Sequence, residues 1–167
     1  LNTTGAKLDH VSFGTVLGPD RKPFKTRSGD TVKLIDLMEE AVIRSQKVLA
    51  QKAADLTDDQ QKNVARVVGI GALKYADLSS DRIKDYVFDW DRMLALEGNT
   101  APYLINAYVR IQSIFRKGDI DLATVDASKI TLGHDAEKAL ALKLLQFGNV
   151  VQSVASSLEP HRLCTYL

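Results

Sequence analysis

The sequence predicts a mainly α-helical protein, in which a helical bundle follows a short strand and a loop. Apolar residues recur at helical spacing through most of the chain after residue 31. Helix-start signals precede two of these segments: Thr57 is followed three residues later by Gln60, and a cap at Asn99 or Thr100 comes just ahead of Pro102. Alternation of apolar and polar residues, which is typical of extended segments, occurs at 8–14 and 85–91.

Composition restricts the classes of function. The chain has 167 residues and a formal net charge of +1, from 22 basic and 21 acidic residues. Because the charges nearly cancel, any role in binding nucleic acid must rest on local basic patches. Cys164 is the single cysteine, so an internal disulfide is impossible, which fits a reducing compartment. No apolar run is long enough to cross a bilayer. We therefore expect a cytoplasmic protein with no membrane partner.

The first predicted elements are a strand and a basic loop. Val11 and Phe13 share one side of a two-residue alternation, so we predict a strand over 8–14. The next segment, 17–29, is rich in glycine and proline and is expected to be a loop. Four of its residues are positively charged: Arg21, Lys22, Lys25 and Arg27. Such a loop can neutralise phosphate, but most basic loops are simply exposed, so charge alone leaves both interpretations open.

A pair of helices is predicted next, over roughly 31–53 and from Thr57 onwards. The expected core residues are Ile35, Met38, Val42, Ser45 and Leu49 in the first helix, and Val64, Val67, Val68, Ala72 and Tyr75 in the second. Gly69 and Gly71 lie inside the second helix, where each costs about 1 kcal/mol relative to alanine. Two explanations stay open: a close approach by another backbone, or a break in the helix.

The segment DYVFDWD (85–91) separates this pair from the later helices. It alternates aspartates with three aromatic residues, which predicts an extended segment with an aromatic packing face: Tyr86, Phe88 and Trp90. Its carboxylates could serve acid–base chemistry or metal binding. A helix predicted to begin at Asp91 makes capping the favoured interpretation. That short helix is expected to end near Gly98.

The strongest predicted helix follows Thr100. Its expected core stripe is Leu104, Tyr108, Ile111 and Phe115. A second, polar stripe shares another face of the same helix: Tyr103, Asn106, Arg110 and Lys117. A ring, an amide and cations on one face suit RNA, although an ordinary solvated helix face is the alternative. After a polar linker, helices are predicted at 135–147 and 149–158, and a last one opens at Pro160.

Motifs for metal binding or common catalytic loops do not occur. The three histidines, His10, His134 and His161, lack the spacing of metal ligands, and Cys164 has no cysteine partner. No Walker loop, dinucleotide-binding glycine motif or nucleophile elbow is found. We expect no protein-bound metal.

Three long segments resemble bacterial-type arginyl-tRNA synthetases, which are class I aminoacyl-tRNA ligases. They are LDHVSFGTVLGPDRKPFKTRSGDTVKL, VGIGALKYADLS and DYVFDWDRMLALEGNTAPYL, with KLLQF and PHRLCTYL nearer the end. The resemblance implies a two-step reaction, in which L-arginine attacks the α-phosphate of ATP, accompanied by Mg²⁺, and then passes to tRNA(Arg). It also implies a monomeric parent with no DNA partner. The fold implied is a helical bundle of the class I synthetase anticodon-binding type, after the end of a Rossmann-like catalytic domain.

The resemblance implies roles for the basic loop and the segment before it. PFKTRSG looks like a degenerate form of the KMSKS loop, which covers the ATP phosphates in class I enzymes. Lys25 and Arg27 would be catalytic, holding phosphate oxygens. The residues implied to contact ATP are His10, Val11, Lys25, Thr26, Arg27 and Ser28. The strand carrying His10 and Val11 would lead into the loop near the adenine.

The resemblance further implies a tRNA-binding surface and three regions. The implied tRNA-binding residues are Tyr103, Asn106, Arg110, Lys117, His161, Arg162 and Tyr166. Residues 1–30 would end the catalytic domain, 31–88 would form a helical connecting region, and 89–167 would form a truncated anticodon-binding domain. The chain begins with Leu1 and contains no HIGH-type motif, so we expect a C-terminal fragment that is inactive alone. The alternatives are a free-standing, non-catalytic tRNA-binding module and a structural helical domain.

Overall fold

The computed structural model describes residue 5 and residues 8–23, 32–50 and 56–167. Within these ranges the strands and α-helices are β1 (Val16–Leu17), α1 (Leu34–Ala50), α2 (Asp58–Leu78), β2 (Tyr86–Val87), α3 (Trp90–Met93), α4 (Ala101–Lys117), α5 (Asp135–Leu145), α6 (Phe147–Ser157) and α7 (His161–Tyr166). Two short 3-10 helices, Leu122–Thr124 and Ala127–Lys129, lie between α4 and α5. The predicted mainly helical fold is confirmed. None of the helices described has both the length and the apolar character needed to cross a bilayer.

β1 and β2 form a parallel sheet of two short strands. Val16 lies opposite Tyr86, and Leu17 lies opposite Val87. Parallel strands need a long crossover connection, and α1 and α2 provide it here. The sheet therefore holds the two ends of the helical pair together.

The predicted strand over 8–14 is wrong, because the strand begins at Val16. β2 offers a partner of only two residues. The residues before it bond within their own turn, where the Lys84 N–H donates to the Asp81 carbonyl at 2.9 Å. The carboxylate of Asp85 accepts a hydrogen bond from the Thr15 amide at 2.7 Å, which ends the ladder. Without strand neighbours the apolar residues of this segment stay outside the core, and Phe13 is 85% exposed.

α1 and α2 pack against each other at unusually short range. A Cβ added to Gly69 would lie 2.6 Å from the carbonyl oxygen of Ala41, so only glycine fits there. α2 is unbroken across this point, which confirms the close approach and excludes the break. Gly71 is different, since its added Cβ would meet only the Ile105 side chain at 3.8 Å.

Three predicted helix-start signals are confirmed. Thr57 and Gln60 form a reciprocal capping box at the start of α2. The hydroxyl of Thr100 accepts from the backbone N–H of Tyr103 at 3.3 Å and so caps α4. The carboxylate of Asp89 accepts two backbone N–H bonds in the first turn of α3, which confirms capping for this acidic segment. α3 is a single turn that ends at Met93, earlier than predicted.

The core of this region is a cluster of four buried residues from α2, the residue after β2, α3 and α4: Ala72, Phe88, Met93 and Ala101. Phe88 packs edge-to-face on Trp90 with ring centroids 4.8 Å apart. The guanidinium of Arg44, from α1, lies 5.0 Å from the centroid of the Trp90 ring. The aromatic packing face predicted for this segment is thus confirmed.

The core stripe predicted for α4 is partly wrong. Its first turn packs on α2 and buries Ala101 and Pro102. Further along the helix, Tyr108 is 62% exposed and Ile111 is 51% exposed. Helical spacing identifies an apolar face, but it does not say how far the neighbouring helix reaches along it. Two residues of the earlier stripes are exposed for the same reason: Ile35 and Val67.

Candidate functional site

The polar stripe of α4 forms an open, positively charged surface. Tyr103 is 47% exposed, and Asn106, Arg110 and Lys117 are exposed as well. Among the described residues no carboxylate pairs with Arg110 or Lys117. Their charges are therefore available to an anionic ligand, and the exposed ring of Tyr103 is available for stacking.

The candidates on α7 are more engaged with the protein itself. Arg162 donates to the Glu159 carboxylate at 2.5 Å, and this hydrogen bond lowers the pKa of Glu159. The Tyr166 hydroxyl donates to the Lys143 carbonyl at 2.6 Å, and its ring lies 6.0 Å from that of Phe147. The Nδ1 atom of His161 is buried without a hydrogen-bond partner in the described structure. Contact of these three residues with tRNA stays a prediction. Arg162 and Tyr166 already bond to other groups of the protein.

The basic loop starts from a well-defined turn. After β1, the Gly18 N–H donates to the Lys22 carbonyl at 2.8 Å, and the Arg21 N–H donates to the Gly18 carbonyl at 2.9 Å. A bridge between Leu17 and Pro23 closes this turn. Arg21 and Lys22 are exposed at its tip. The loop that follows Pro23 thus starts from a backbone fixed to the sheet.

The residues predicted to contact ATP are only partly covered by the structure. Four of them lie outside the described residues: Lys25, Thr26, Arg27 and Ser28. His10 and Val11 are described and exposed, and they precede the strand that was expected to carry them. Contact of His10 and Val11 with adenine stays a prediction, and the strand over 8–14 that was expected to place them there is not formed.

Sequence reasoning missed two polar side chains that join distant segments. Arg82 hydrogen-bonds to the carbonyls of Ser12 and Leu158 at 2.5 and 2.8 Å. The Tyr75 hydroxyl lies 2.5 Å from Asn99 Oδ1 and 3.2 Å from the Cys164 carbonyl. These partners are far apart in the chain, and no periodic pattern marks them. Arg82 carries no local signal that could have identified it, and the helical spacing of Tyr75 predicts a core residue but not its polar partners.

Comparison with known families divides the chain into two matches. Residues 2–90 match the family profile described as tRNA synthetases class I (R), catalytic domain. Residues 104–167 match the profile described as DALR anticodon binding domain. The second match begins within α4 and includes most of its polar stripe.

Two similar curated proteins are both named arginine–tRNA ligase. The chain is 52% identical over 160 residues to the arginine–tRNA ligase of Haemophilus influenzae, covering 96% of this chain and 28% of that protein. It is 54% identical over 165 residues to the arginine–tRNA ligase of Frankia casuarinae, covering 99% of this chain and 28% of that protein. The chain thus spans about 28% of the length of the curated relatives it matches.

Two solved structures share the fold. The crystal structure of arginyl-tRNA synthetase from Plasmodium falciparum is 32% identical, with a TM-score of 0.79, over 94% of this chain and 26% of that one. The arginyl-tRNA synthetase from Thermus thermophilus is 31% identical, with a TM-score of 0.77, over 94% of this chain and 25% of that one.

Proposed function

The chain belongs to the family of class I tRNA synthetases for arginine, and from this premise we propose that it supplies part of an arginine–tRNA ligase. The observation that carries the proposal is the order of the two family matches, with a catalytic-domain end at 2–90 followed by an anticodon-binding domain at 104–167. The relatives that are similar over nearly the whole chain are named arginine–tRNA ligase. The substrates would be L-arginine, ATP and tRNA(Arg).

The reaction has two steps. The arginine carboxylate attacks the α-phosphate of ATP, so that an acyl–phosphate bond forms and the bond to pyrophosphate breaks. A hydroxyl of the terminal tRNA ribose then attacks the arginyl carbonyl, and AMP leaves. In the first step negative charge grows on the departing pyrophosphate, and fixed cations lower the free energy of that transition state.

Lys25 and Arg27 are the residues we assign to that charge, with Thr26 or Ser28 donating further hydrogen bonds. The support is the fixed start of the loop, because the bridge between Leu17 and Pro23 ties it to the sheet. Mg²⁺ would accompany ATP as part of the substrate. Among the described residues no cluster of histidine, cysteine or carboxylate side chains is arranged to hold a metal ion.

The helices would supply the tRNA surface. We assign residues 1–30 to the end of the catalytic domain, 31–88 to a connecting region and 89–167 to the anticodon-binding domain. Arg110, which pairs with no carboxylate in the part of the chain that the structure describes, and the exposed Tyr103 support tRNA contact at α4. The matched share of the relatives is about 28%, so we expect no arginyl-adenylate formation by this chain alone. The location in the cytoplasm and the monomeric state of the ligase belong to the same proposal.

The test is arginine-dependent ATP–pyrophosphate exchange by the full-length ligase. Lys25→Ala combined with Arg27→Ala should slow the exchange roughly tenfold or more, which is the scale of one preorganised charge contact. A matched control is Lys22→Ala combined with Lys33→Ala, which removes two exposed charges on either side of the same loop. Unchanged exchange in the first variant would remove the phosphate role. An equal loss of exchange rate in both double variants would mean that the loop acts only through its overall positive charge, without specific phosphate contacts by Lys25 and Arg27.

A non-catalytic tRNA-binding module is the second candidate, because the open basic face of α4 is sufficient for such a role. The coding sequence upstream of residue 1 distinguishes the two. A HIGH-like motif there supports the ligase, and an initiating methionine directly before Leu1 supports the module.

A further inference from the structure

The side chain of Arg82 joins three carbonyl groups from two distant segments. Its Nε–H donates to the Leu158 carbonyl at 2.8 Å, and its Nη2 lies 3.5 Å from the Ser157 carbonyl. Its Nη1 donates to the Ser12 carbonyl at 2.5 Å. Among the described residues no carboxylate pairs with Arg82, so its charge is directed at backbone oxygens.

The backbone around Arg82 holds the same amino-terminal segment. The Gly14 N–H donates to the Arg82 carbonyl at 2.6 Å. A Cβ added to Gly14 would overlap the Lys84 carbonyl oxygen, so the two backbones are in direct contact. Thr15 continues this contact through its hydrogen bond to Asp85. The segment that leads into β1 is therefore fixed to the turn after α2 over several consecutive residues.

The Arg82 side chain also hydrogen-bonds to the carbonyls at the C-terminal end of α6. Leu158, the residue after this helix, has a left-handed backbone with φ of 56°. The carbonyls at a helix end have lost their intrahelical partners and carry a partial negative charge. A guanidinium placed there satisfies two of them and stabilises the abrupt turn into α7. Arg82 thereby connects the start of α7 to the segment that carries β1.

We propose that Arg82 is a positioning residue for the transfer of arginine to tRNA. It fixes the angle between two parts that must act together: β1, from which the basic loop emerges, and α7, which carries His161 and Arg162. The inference rests on the proposed function, and it adds a residue that touches neither ATP nor tRNA.

Loss of this connection has a specific consequence. The proposed tRNA contacts belong to α4 and α7, and α7 keeps its second attachment through Tyr75 and the Cys164 carbonyl. Affinity for tRNA should therefore survive. The rate of tRNA charging should fall, because the loop and the bound tRNA must both be correctly placed. A misplacement of about 1 Å can lower a rate by a factor of about 100.

The experiment compares Arg82→Met, Arg82→Lys and the control Arg66→Met in the full-length ligase. Arg66 is an exposed residue of α2 that makes none of these contacts. For each variant the kcat of tRNA charging, the Kd for tRNA(Arg), and hydrogen–deuterium exchange over 12–17 are measured. We expect Arg82→Met to lower kcat by about tenfold while Kd stays within about twofold. Amide exchange over 12–17 should become faster, and the control should match the wild type.

The kcat of Arg82→Lys should lie between those of the wild type and Arg82→Met. An ammonium keeps the charge, but it cannot span three acceptors as the planar guanidinium does. If Arg82→Met fails to fold, the same three measurements on Arg82→Lys decide. A proportional loss of kcat and tRNA affinity would mean a merely structural role and would overturn the inference, as would wild-type behaviour. If the unaltered ligase does not charge tRNA(Arg), the proposed function fails instead, and the exchange over 12–17 still reports on the connection.

Discussion

The hydroxyl of Tyr75 lies 3.2 Å from the carbonyl oxygen of Cys164, although the two residues are 89 positions apart. The same hydroxyl lies 2.5 Å from Asn99 Oδ1, just ahead of α4. One side chain of α2 thus connects the start of α4 with α7. Burial, followed by the effect of Cys164, raises the pKa of Tyr75 to about 12. The phenol is therefore held in its neutral, hydrogen-bonded form.

Replacement of this hydroxyl should destabilise the protein. Tyr75→Phe removes the O–H that the Asn99 and Cys164 oxygens share and keeps the ring, so we expect a loss of about 1 kcal/mol in the free energy of unfolding. Urea unfolding followed by circular dichroism measures it. Tyr108→Phe is the matched control, because that ring is 62% exposed on α4. Identical unfolding midpoints for the two variants would show that the Tyr75 bonds contribute nothing.

Stability should also fall at high pH through the same residue. The folded pKa of Tyr75 is about 12 against an ordinary value of 10.0, so between these values the native state binds more protons than the unfolded state. The free energy of unfolding then decreases as pH rises from 10 to 12, and the contribution is fully present below 10. Burial and Asp77 also raise the pKa of Tyr86, which adds to the slope.

The measurement is the urea midpoint at several pH values between 10 and 12. Tyr75→Phe should show a shallower decline than the wild type, because one of the shifted groups is gone. Tyr108→Phe should follow the wild type. A decline of equal slope in all three proteins would contradict the assignment of this pH dependence to Tyr75.

The two glycines of α2 should respond in opposite ways to alanine. In Gly69→Ala the new Cβ would meet the Ala41 carbonyl at 2.6 Å, and both backbones must move. We expect a destabilisation of about 1–3 kcal/mol, larger than the gain of helix propensity. In Gly71→Ala the nearest atom is a side-chain carbon of Ile105 at 3.8 Å. That variant should be neutral or more stable by up to about 1 kcal/mol.

Thermal unfolding of the two alanine variants checks this directly, with each as the other's control. A higher melting temperature for Gly69→Ala than for Gly71→Ala would contradict the close approach of α1 and α2.

Features that depend on neighbouring residues could be predicted from the sequence. Thr57 and Gln60 cap α2 through atoms three residues apart, and Thr100 caps α4 in the same way. The cost of Gly69 inside a helix indicated either a close backbone approach or a break, and the structure shows the first. What the sequence could not supply was the identity of the partner, Ala41.

Features that depend on distant segments could not be predicted. Tyr108 follows the apolar spacing of α4 and is still 62% exposed, although Ala101 and Ile105, nearer the start of the same helix, lie against α2. The strand was placed too early because the alternation around Phe13 gave no information about where β2 begins. Arg82 lies in a polar turn with no distinctive local pattern, and its three carbonyl partners are 70 to 76 residues away in the chain.

The last prediction concerns the basic face of α4. If Arg110 contacts a tRNA phosphate, Arg110→Ala in the full-length ligase should weaken tRNA binding and flatten its salt dependence by about 0.7–0.9 in the log–log slope. Arg162→Ala should change the slope less, because that guanidinium already pairs with Glu159 at 2.5 Å. Arg66→Ala removes the same charge from α2 and should leave the slope unchanged. Filter binding of tRNA(Arg) across a salt series measures the slope for all three variants. A slope unaltered by Arg110→Ala would show that this face of α4 does not contact tRNA.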